Sequence, residues 1–243
     1  MREIAHVSVI APAFNEQDCL PLLVRAIHDA MQATDFRFEI LLVDDASTDD
    51  TAKVIRRLME EYPEVRQVTH RINCGQSAAI ASGFREACGN IMVTLDADTQ
   101  NPPSEIPRLL AELTAETHAV CGVRRKRNDN FIRRSSSRVA NVGRDWITGI
   151  PVRDAGCGLR VIRKNALDEL PVFNGLHRFL TTILILQGFS VKQVEITHAA
   201  RPAGKSKYGV HNRLWRGLLD CFAIRWYAWR VIPAQRCQHD DAN

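Results

Sequence analysis

Two aspartates one residue apart, Asp96 and Asp98, stand directly after the apolar run Ile91 to Leu95. In extended geometry both carboxylates point the same way, because alternate side chains share one face of a strand. Neighbouring carboxylates repel, and a hard divalent cation between them removes the repulsion. Mg²⁺ or Mn²⁺ suits such a pair, since each takes few carboxylates and completes its shell with water and phosphate oxygens. Spacing alone leaves a plainer reading open, a pair of loop or helix-capping aspartates. The next residues, Thr99-Gln100-Asn101-Pro102-Pro103, predict a rigid turn that brings the Gln100 amide back beside the carboxylates as a further ligand or a positioner. Two more polar clusters, Asn15-Glu16 and Asp44-Asp45, also close apolar runs.

Charge separates along the chain. Up to residue 121 there are 10 Lys/Arg against 19 Asp/Glu, and from there on 22 against 9, so a net −9 is followed by +13. The basic half fits an anionic partner (nucleic acid, a phosphorylated ligand or an acidic membrane surface) or a solvated face. The seven cysteines form no C-x-x-C pair, which argues against a disulfide framework or a zinc site and for a reducing compartment. Cys157 has no evident histidine partner and reads as a packing residue.

The elements that must carry these residues follow from periodicity. Val7 to Phe14 and Glu39 to Asp44 predict strands, each followed by a helical pattern. Ser47-Thr48-Asp49-Asp50 predicts a helix start with Ser47 as N-cap, and Tyr62-Pro63 its stop. Further strands are predicted over Gln67 to His70, Asn90 to Leu95 and His118 to Val123, with helices over Gln76 to Cys88 and Ser104 to Thr117. Alternating strands and helices predict an α/β fold with a mainly parallel sheet flanked by helices. Ligands of such sheets bind beyond the carboxyl ends of the strands, where all three polar clusters fall.

Beyond Arg124 the rhythm changes to an Arg/Ser-rich stretch, a helix near Ser135 to Ile147 and a Gly-rich turn, Asp154-Ala155-Gly156-Cys157-Gly158. An apolar helix (Phe179 to Leu186), a strand (Val191 to Ile196), a Gly/Lys loop (Ala203 to Gly209) and an aromatic helix (Leu214 to Pro233) complete a single domain over residues 1–234, with a disordered tail from 235. The N-terminus carries no signal-peptide pattern, and no run of about 18 apolar residues exists, so a protein that does not span the membrane is expected. In the last helix Leu214, Leu218, Phe222, Arg225/Trp226 and Trp229 trace one face. Arg and Trp together suit a lipid boundary, and the same stripe equally suits a cover for the core.

Taken in order, the segments VSVIAPAFNE (7–16), LLVDDASTDDT (41–51), NCGQSAAIASGF (73–84), LDADTQNPPSEIPRL (95–109), GVRRKR (122–127), RDAGCGLRVIRK (153–164) and RPAGKSKY (201–208) resemble the GT-A fold glycosyltransferases of family 2, the polyprenyl-phosphate subgroup in particular. The resemblance covers about residues 5–212. It implies that Pro12, Phe14 and Glu16 hold the nucleoside, Phe14 standing where tyrosine is more usual. It places Asp44 at the base imide, Asp45 near the ribose, and Gly75 where the backbone passes under the nucleotide. Asp96 would face the nucleotide, with Asp98 and Gln100 around the metal and diphosphate and Thr99 in place of the usual leucine. Arg124, Arg133, Arg134, Arg201 and Lys207 match or lie beside acceptor-phosphate positions, the choice between Arg133 and Arg134 staying open.

A phosphate monoester carries about 1.5 to 2 negative charges at neutral pH, so it needs positioning cations rather than a strong base. This chain accordingly has no acidic pair after Asp98 where a hydroxyl-activating base would stand, apart from Asp168-Glu169 on a surface segment and Asp240-Asp241 in the tail. The expectation is inverting, metal-dependent transfer from a nucleotide-sugar to a polyprenyl phosphate, on the cytoplasmic face of a membrane. The segments resemble UDP-sugar aminoarabinose and glucose transferases more than GDP-mannose enzymes. A membrane-protein subunit or a second copy would be a partner, and nucleic acid would not. The rivals are a saccharide acceptor and a silent membrane-associated scaffold.

Overall fold

The computed structural model describes residues 5–124, 143–197 and 210–233, with 210–216 and 218 described as backbone only. Strands β1 (His6–Ala13), β2 (Arg37–Asp44), β3 (Val65–Thr69), β4 (Ile91–Thr94), β5 (Ala119–Arg124), β6 (Arg160–Arg163) and β7 (Val191–Ile196) form one sheet in the order β3-β2-β1-β4-β6-β5-β7. Only β6 runs antiparallel to its neighbours among the described strands. The helices are α1 (Leu20–Gln32), α2 (Thr51–Glu61), α3 (Gln76–Glu86), α4 (Ile106–Ala111), α5 (helical over 143–148), α6 (Leu176–Leu186) and α7 (Val210–Arg230).

Both faces of the sheet are covered, which is why its central strands read as near-continuous apolar runs. Along β1 the side chains alternate: Val7, Val9 and Ala11 face α1, α2 and α4, while Ile10 faces α3 and α6. In α1, Leu20, Leu23, Val24, Ile27 and Met31 recur at helical spacing and are buried. On the other face α3 lies so close to β1 that a Cβ on Gly83 would meet Ile10 Cγ2 at 2.3 Å.

At the amino end of the sheet the alternation puts Ser8 and Glu39 opposite each other in adjacent strands. Glu39 is buried and accepts the Ser8 hydroxyl (2.6 Å) and the Cys88 N–H (2.6 Å), and it pairs with Arg66. A buried carboxylate is tolerable only with such partners.

The structure corrects several local expectations. The second helix starts at Thr51 with Asp50 in the N-cap position, not Ser47. The helix expected over Ser104 to Thr117 is a 3₁₀ turn (Pro103–Glu105) followed by the short α4. Strand β6 was not predicted; it inserts between β4 and β5 and makes the sheet mixed. Its Arg160 is 2% exposed, donating to Ala155 O (3.2 Å), His177 O (3.0 Å) and Thr181 Oγ1 (3.3 Å).

The last helix covers the core with a different face from the stripe its sequence suggested. Cys221 and Ile224 are buried and Tyr227 packs with them against α6, whereas Leu219, Phe222, Trp226 and Trp229 are exposed. Arg225 stacks on Trp229 (5.2 Å) and Arg230 on Trp226 (6.0 Å). Among the described residues no helix is long and apolar enough to cross a membrane. The proposed disordered tail lies outside the described residues, as does the part of the Ser135 to Ile147 helix before residue 143.

Candidate active site

The carboxyl ends of β1, β2, β3, β4 and β5 gather the predicted residues on one edge of the sheet. β1 delivers Pro12, Phe14 and Glu16, all half-buried, and β2 delivers the buried Asp44 and Asp45. Two loops there are laced together. Asn15, at φ 55°, donates its N–H to Ser47 Oγ (3.0 Å), accepts Thr48 N–H (2.7 Å) and donates to Thr48 Oγ1 (3.1 Å). Glu16 N–H donates to Thr51 Oγ1 (2.9 Å). Ser47 therefore serves the neighbouring loop rather than capping a helix, and its own N–H is taken by Asp44 Oδ1 (3.0 Å). The Asp44 carboxylate is thus oriented by its own turn.

Asp45 organises the next loop. Its Oδ1 accepts Cys74 N–H (2.8 Å) and its Oδ2 accepts Gly75 N–H (2.7 Å), and its carbonyl accepts the Asn73 amide (3.1 Å). Gly75 sits at φ +86° with nothing within 4 Å of where a Cβ would be, so conformation rather than crowding demands glycine. It leads directly into α3, whose first residue, Gln76, donates to Asp96 Oδ1 at 2.7 Å. Gln76 was not identified from sequence; its role depends on a contact across 20 positions.

At Asp96 the chain departs from the expected extended geometry. β4 ends at Thr94, and 97–98 form a turn that places Thr99 at φ 57°. The pair is nonetheless close. Burial holds the Asp96 carboxyl above its ordinary value, the Asp98 charge adds to this, and Arg160, Arg124 and Gln76 oppose it. The carboxylate lies against Gly158, where a Cβ would meet Asp96 Oδ2 at 2.4 Å, and Thr94 Oγ1 fixes the Gly158 carbonyl (2.8 Å). The contact seen for Gln100 is through its backbone, whose N–H donates to Asp98 Oδ1 (3.2 Å). Two mutually repelling carboxylates are a hard oxygen donor pair, and they fit Mg²⁺ or Mn²⁺.

Arg124, at the end of β5, is committed to Asp154. Its Nε and Nη2 donate to the two carboxylate oxygens (2.7 and 2.8 Å) and its N–H to Oδ2 (3.2 Å). Burial raises the Asp154 carboxyl, but the arginine more than reverses it and holds the group below its ordinary value. The fork also crosses the Gly-rich turn, passing 2.7 Å from a Cβ position on Gly156. Arg124 thus braces the turn that holds Gly158 against Asp96, beyond the phosphate role its sequence context implied. The Cys157 thiol is buried and pushed up to about 11 by burial, which fits packing and not nucleophilic chemistry. Arg133, Arg134, Arg201 and Lys207 lie outside the described residues.

Asp45, His70 and Cys74 place one potential ligand atom each within 4.8 Å of one another, the one grouping of three such residues among those described. The Asp45–His70 contact is only 2.7 Å and the other His70 nitrogen is 2.9 Å from Ser82 Oγ. Those distances are hydrogen bonds, so the group is knit by protons.

Comparison with known proteins places this architecture. Residues 8–171 match the family model for glycosyl transferase family 2. The undecaprenyl-phosphate 4-deoxy-4-formamido-L-arabinose transferase of Pseudomonas savastanoi pv. phaseolicola is 39% identical over 208 residues, 84% of this chain and 61% of that protein. The enzyme of the same name from Klebsiella pneumoniae subsp. pneumoniae is 40% identical over 209 residues, 84% of this chain and 63% of that protein. The chain therefore spans somewhat over three-fifths of the length of these relatives. In fold it is similar to the mannosyltransferase PcManGT from Pyrobaculum calidifontis, solved with GDP-Man and Mn²⁺ (24% identity, TM-score 0.64, covering 95% of this chain and 66% of that one). It is also similar to glucosyl-3-phosphoglycerate synthase from Mycobacterium tuberculosis, solved with Mn²⁺ and UDP-glucose (20% identity, TM-score 0.66, covering 90% and 79%). These likenesses bear out the GT-A fold expected from the motifs. A family match that begins in β1 and runs past the ends of β1 to β6 settles the assignment: the chain belongs to glycosyl transferase family 2.

Proposed function

We propose that this chain transfers a sugar from a nucleotide-sugar to the phosphate of a polyprenyl phosphate, with inversion at the anomeric carbon. The observation that carries the acceptor is the reach of the similarity to undecaprenyl-phosphate transferases. An alignment of 208 residues cannot fit within 8–171, so it continues past residue 171, into the later part of the basic half that the family model leaves unmatched.

In this reading a phosphate oxygen of the acceptor bonds to the anomeric carbon while the bond from that carbon to the nucleoside diphosphate breaks. The attacking oxygen is already ionised, so no protein base has to take a proton. Asp44, fixed by the Ser47 N–H, reads the base, and Asp45 with the Cys74–Gly75 turn seats the ribose side. Asp96, Asp98 and Gln100 would hold Mg²⁺ or Mn²⁺, which when bound neutralises charge on the departing diphosphate. Arg124 keeps the Asp154–Gly158 turn in place, while Arg133, Arg134, Arg201 and Lys207 supply cations for the acceptor phosphate. The exposed Phe222, Trp226 and Trp229, with Arg225 and Arg230 stacked on the two tryptophans, suit peripheral contact with the lipid boundary where the acceptor resides. The donor favoured is a UDP-sugar, with GDP-mannose the alternative.

The test is incubation of the protein with Mn²⁺, undecaprenyl phosphate and separate UDP- and GDP-sugars. A lipid-linked sugar phosphate with release of the matching diphosphate supports the reading. Transfer to free saccharides with none to the lipid, or binding of lipid with no turnover of any donor, refutes it.

A further inference from the structure

The hydrogen bonds around Asp45 continue away from the site into the interior of α3. Asp45 Oδ1 lies 2.7 Å from His70 Nδ1, and His70 Nε2 lies 2.9 Å from Ser82 Oγ. Arg85 Nη2 donates to that same serine oxygen at 2.9 Å. With a neutral imidazole, one arrangement of protons satisfies every contact: Arg85 donates to Ser82, the Ser82 hydroxyl donates to Nε2, and Nδ1–H donates to Asp45. The opposite tautomer would set a nitrogen lone pair against a carboxylate oxygen. His70 is fixed at its other end too, since its backbone N–H donates to Asp44 O (2.9 Å).

We infer that His70 is a positioning residue for the nucleotide site. Its Nδ1–H orients the Asp45 carboxylate, and Asp45 in turn holds the Cys74 and Gly75 amides that set the start of α3. The next residue, Gln76, grips Asp96. The thread Ser82–His70–Asp45–Cys74/Gly75–Gln76–Asp96 therefore joins the two carboxylate groups of the site across α3. A free Asp45 carboxylate could rotate and release both amides. The side chain of His70 is largely shielded (14% exposed), so water replaces it poorly.

The inference rests on the nucleotide-sugar reading above, and the experiment separates the two. Asparagine at this position places an amide N–H near where Nδ1 stands, whereas glutamine places one near Nε2. His70→Asn keeps the donor to Asp45 and loses Ser82; His70→Gln does the reverse; His70→Leu loses both. By calorimetry with UDP and GDP in Mn²⁺, His70→Asn should bind the preferred nucleotide nearly as the wild type does. His70→Gln and His70→Leu should bind roughly ten-fold more weakly, with donor KM raised and kcat little changed. A merely structural histidine would cost the Asn and Gln variants alike, and thermal melts of all three report that cost separately. Wild-type binding that His70→Gln leaves intact, or that His70→Asn loses as fully as His70→Leu, overturns the inference alone. A wild-type protein that binds neither nucleotide overturns the nucleotide reading and this inference with it.

Discussion

Gly158→Ala tests how closely the Gly-rich turn controls the Asp96 carboxylate. The added methyl would stand 2.4 Å from Asp96 Oδ2, 2.5 Å from Cγ and 2.7 Å from Oδ1, so it meets the whole carboxylate and not one rotatable tip. Short carbon–oxygen contacts in proteins run about 3.3 Å, so one group must retreat by about 1 Å. The turn cannot easily do so. Thr94 Oγ1 holds the Gly158 carbonyl at 2.8 Å, and the Arg124–Asp154 fork braces the chain just before it. Asp96 is then the group that must shift, at the expense of its hydrogen bond from Gln76. A misplacement of about 1 Å at a reacting centre costs on the order of 100-fold, and we expect kcat for donor turnover to fall by about that factor. Mn²⁺ affinity, read by the EPR signal of the free ion, should weaken in parallel. Gly158 has no positive φ that alanine would strain, so any loss of stability comes from the overlap with Asp96, and urea melts report it separately. A Gly158→Ala protein with wild-type kcat and wild-type Mn²⁺ binding would refute the placement of Asp96 at the reacting centre.

Other expectations follow from the scaffold. Gly83→Ala should lower stability by about 1–3 kcal/mol in urea melts, since its methyl would overlap Ile10 Cγ2 at 2.3 Å in a packed layer. Glu39 should make the fold acid-sensitive. Burial raises its carboxyl, but Ser8, the Cys88 N–H and Arg66 together hold it below the ordinary 4.5. Its folded value is depressed, so its contribution is complete above about pH 4.5 and is lost as the pH falls through the folded value. Urea midpoints should drop in that range, and Glu39→Gln should be less stable at neutral pH with a shallower acid loss. Cysteine labelling of the native protein, mapped by mass spectrometry, should modify the exposed Cys74 and Cys88 and spare the buried Cys157, whose thiol is pushed up to about 11.

Most of the nucleotide half was legible because its signals are local. The parallel strands are apolar runs bounded by polar residues, and the strand-end rule points from these to Asp44, Asp45, Asp96 and Asp98. What escaped was set by partners distant in sequence. β6 has four residues with an arginine at each end, and Arg160 is buried only because carbonyls from Ala155 and His177 receive it. Ser47 had the composition of an N-cap, but Asn15, across 32 positions, claims its hydroxyl. The supports of Asp96, Gln76 and Gly158, lie in segments that show no carboxylate chemistry of their own. His70 carried no motif, and only the fold brings it between Asp45 and Ser82.

The central claim is that the acceptor phosphate is itself the nucleophile. The direct measurement is the initial rate of sugar transfer to undecaprenyl phosphate and to undecaprenol, presented in the same vesicles with Mn²⁺ and the preferred donor. The two lipids share their chain and differ only in the ionised group. The account predicts transfer to the phosphate alone, because an alcohol oxygen is not ionised at neutral pH and would need a base that the proposed reaction does not use. Comparable rates on both lipids would contradict it.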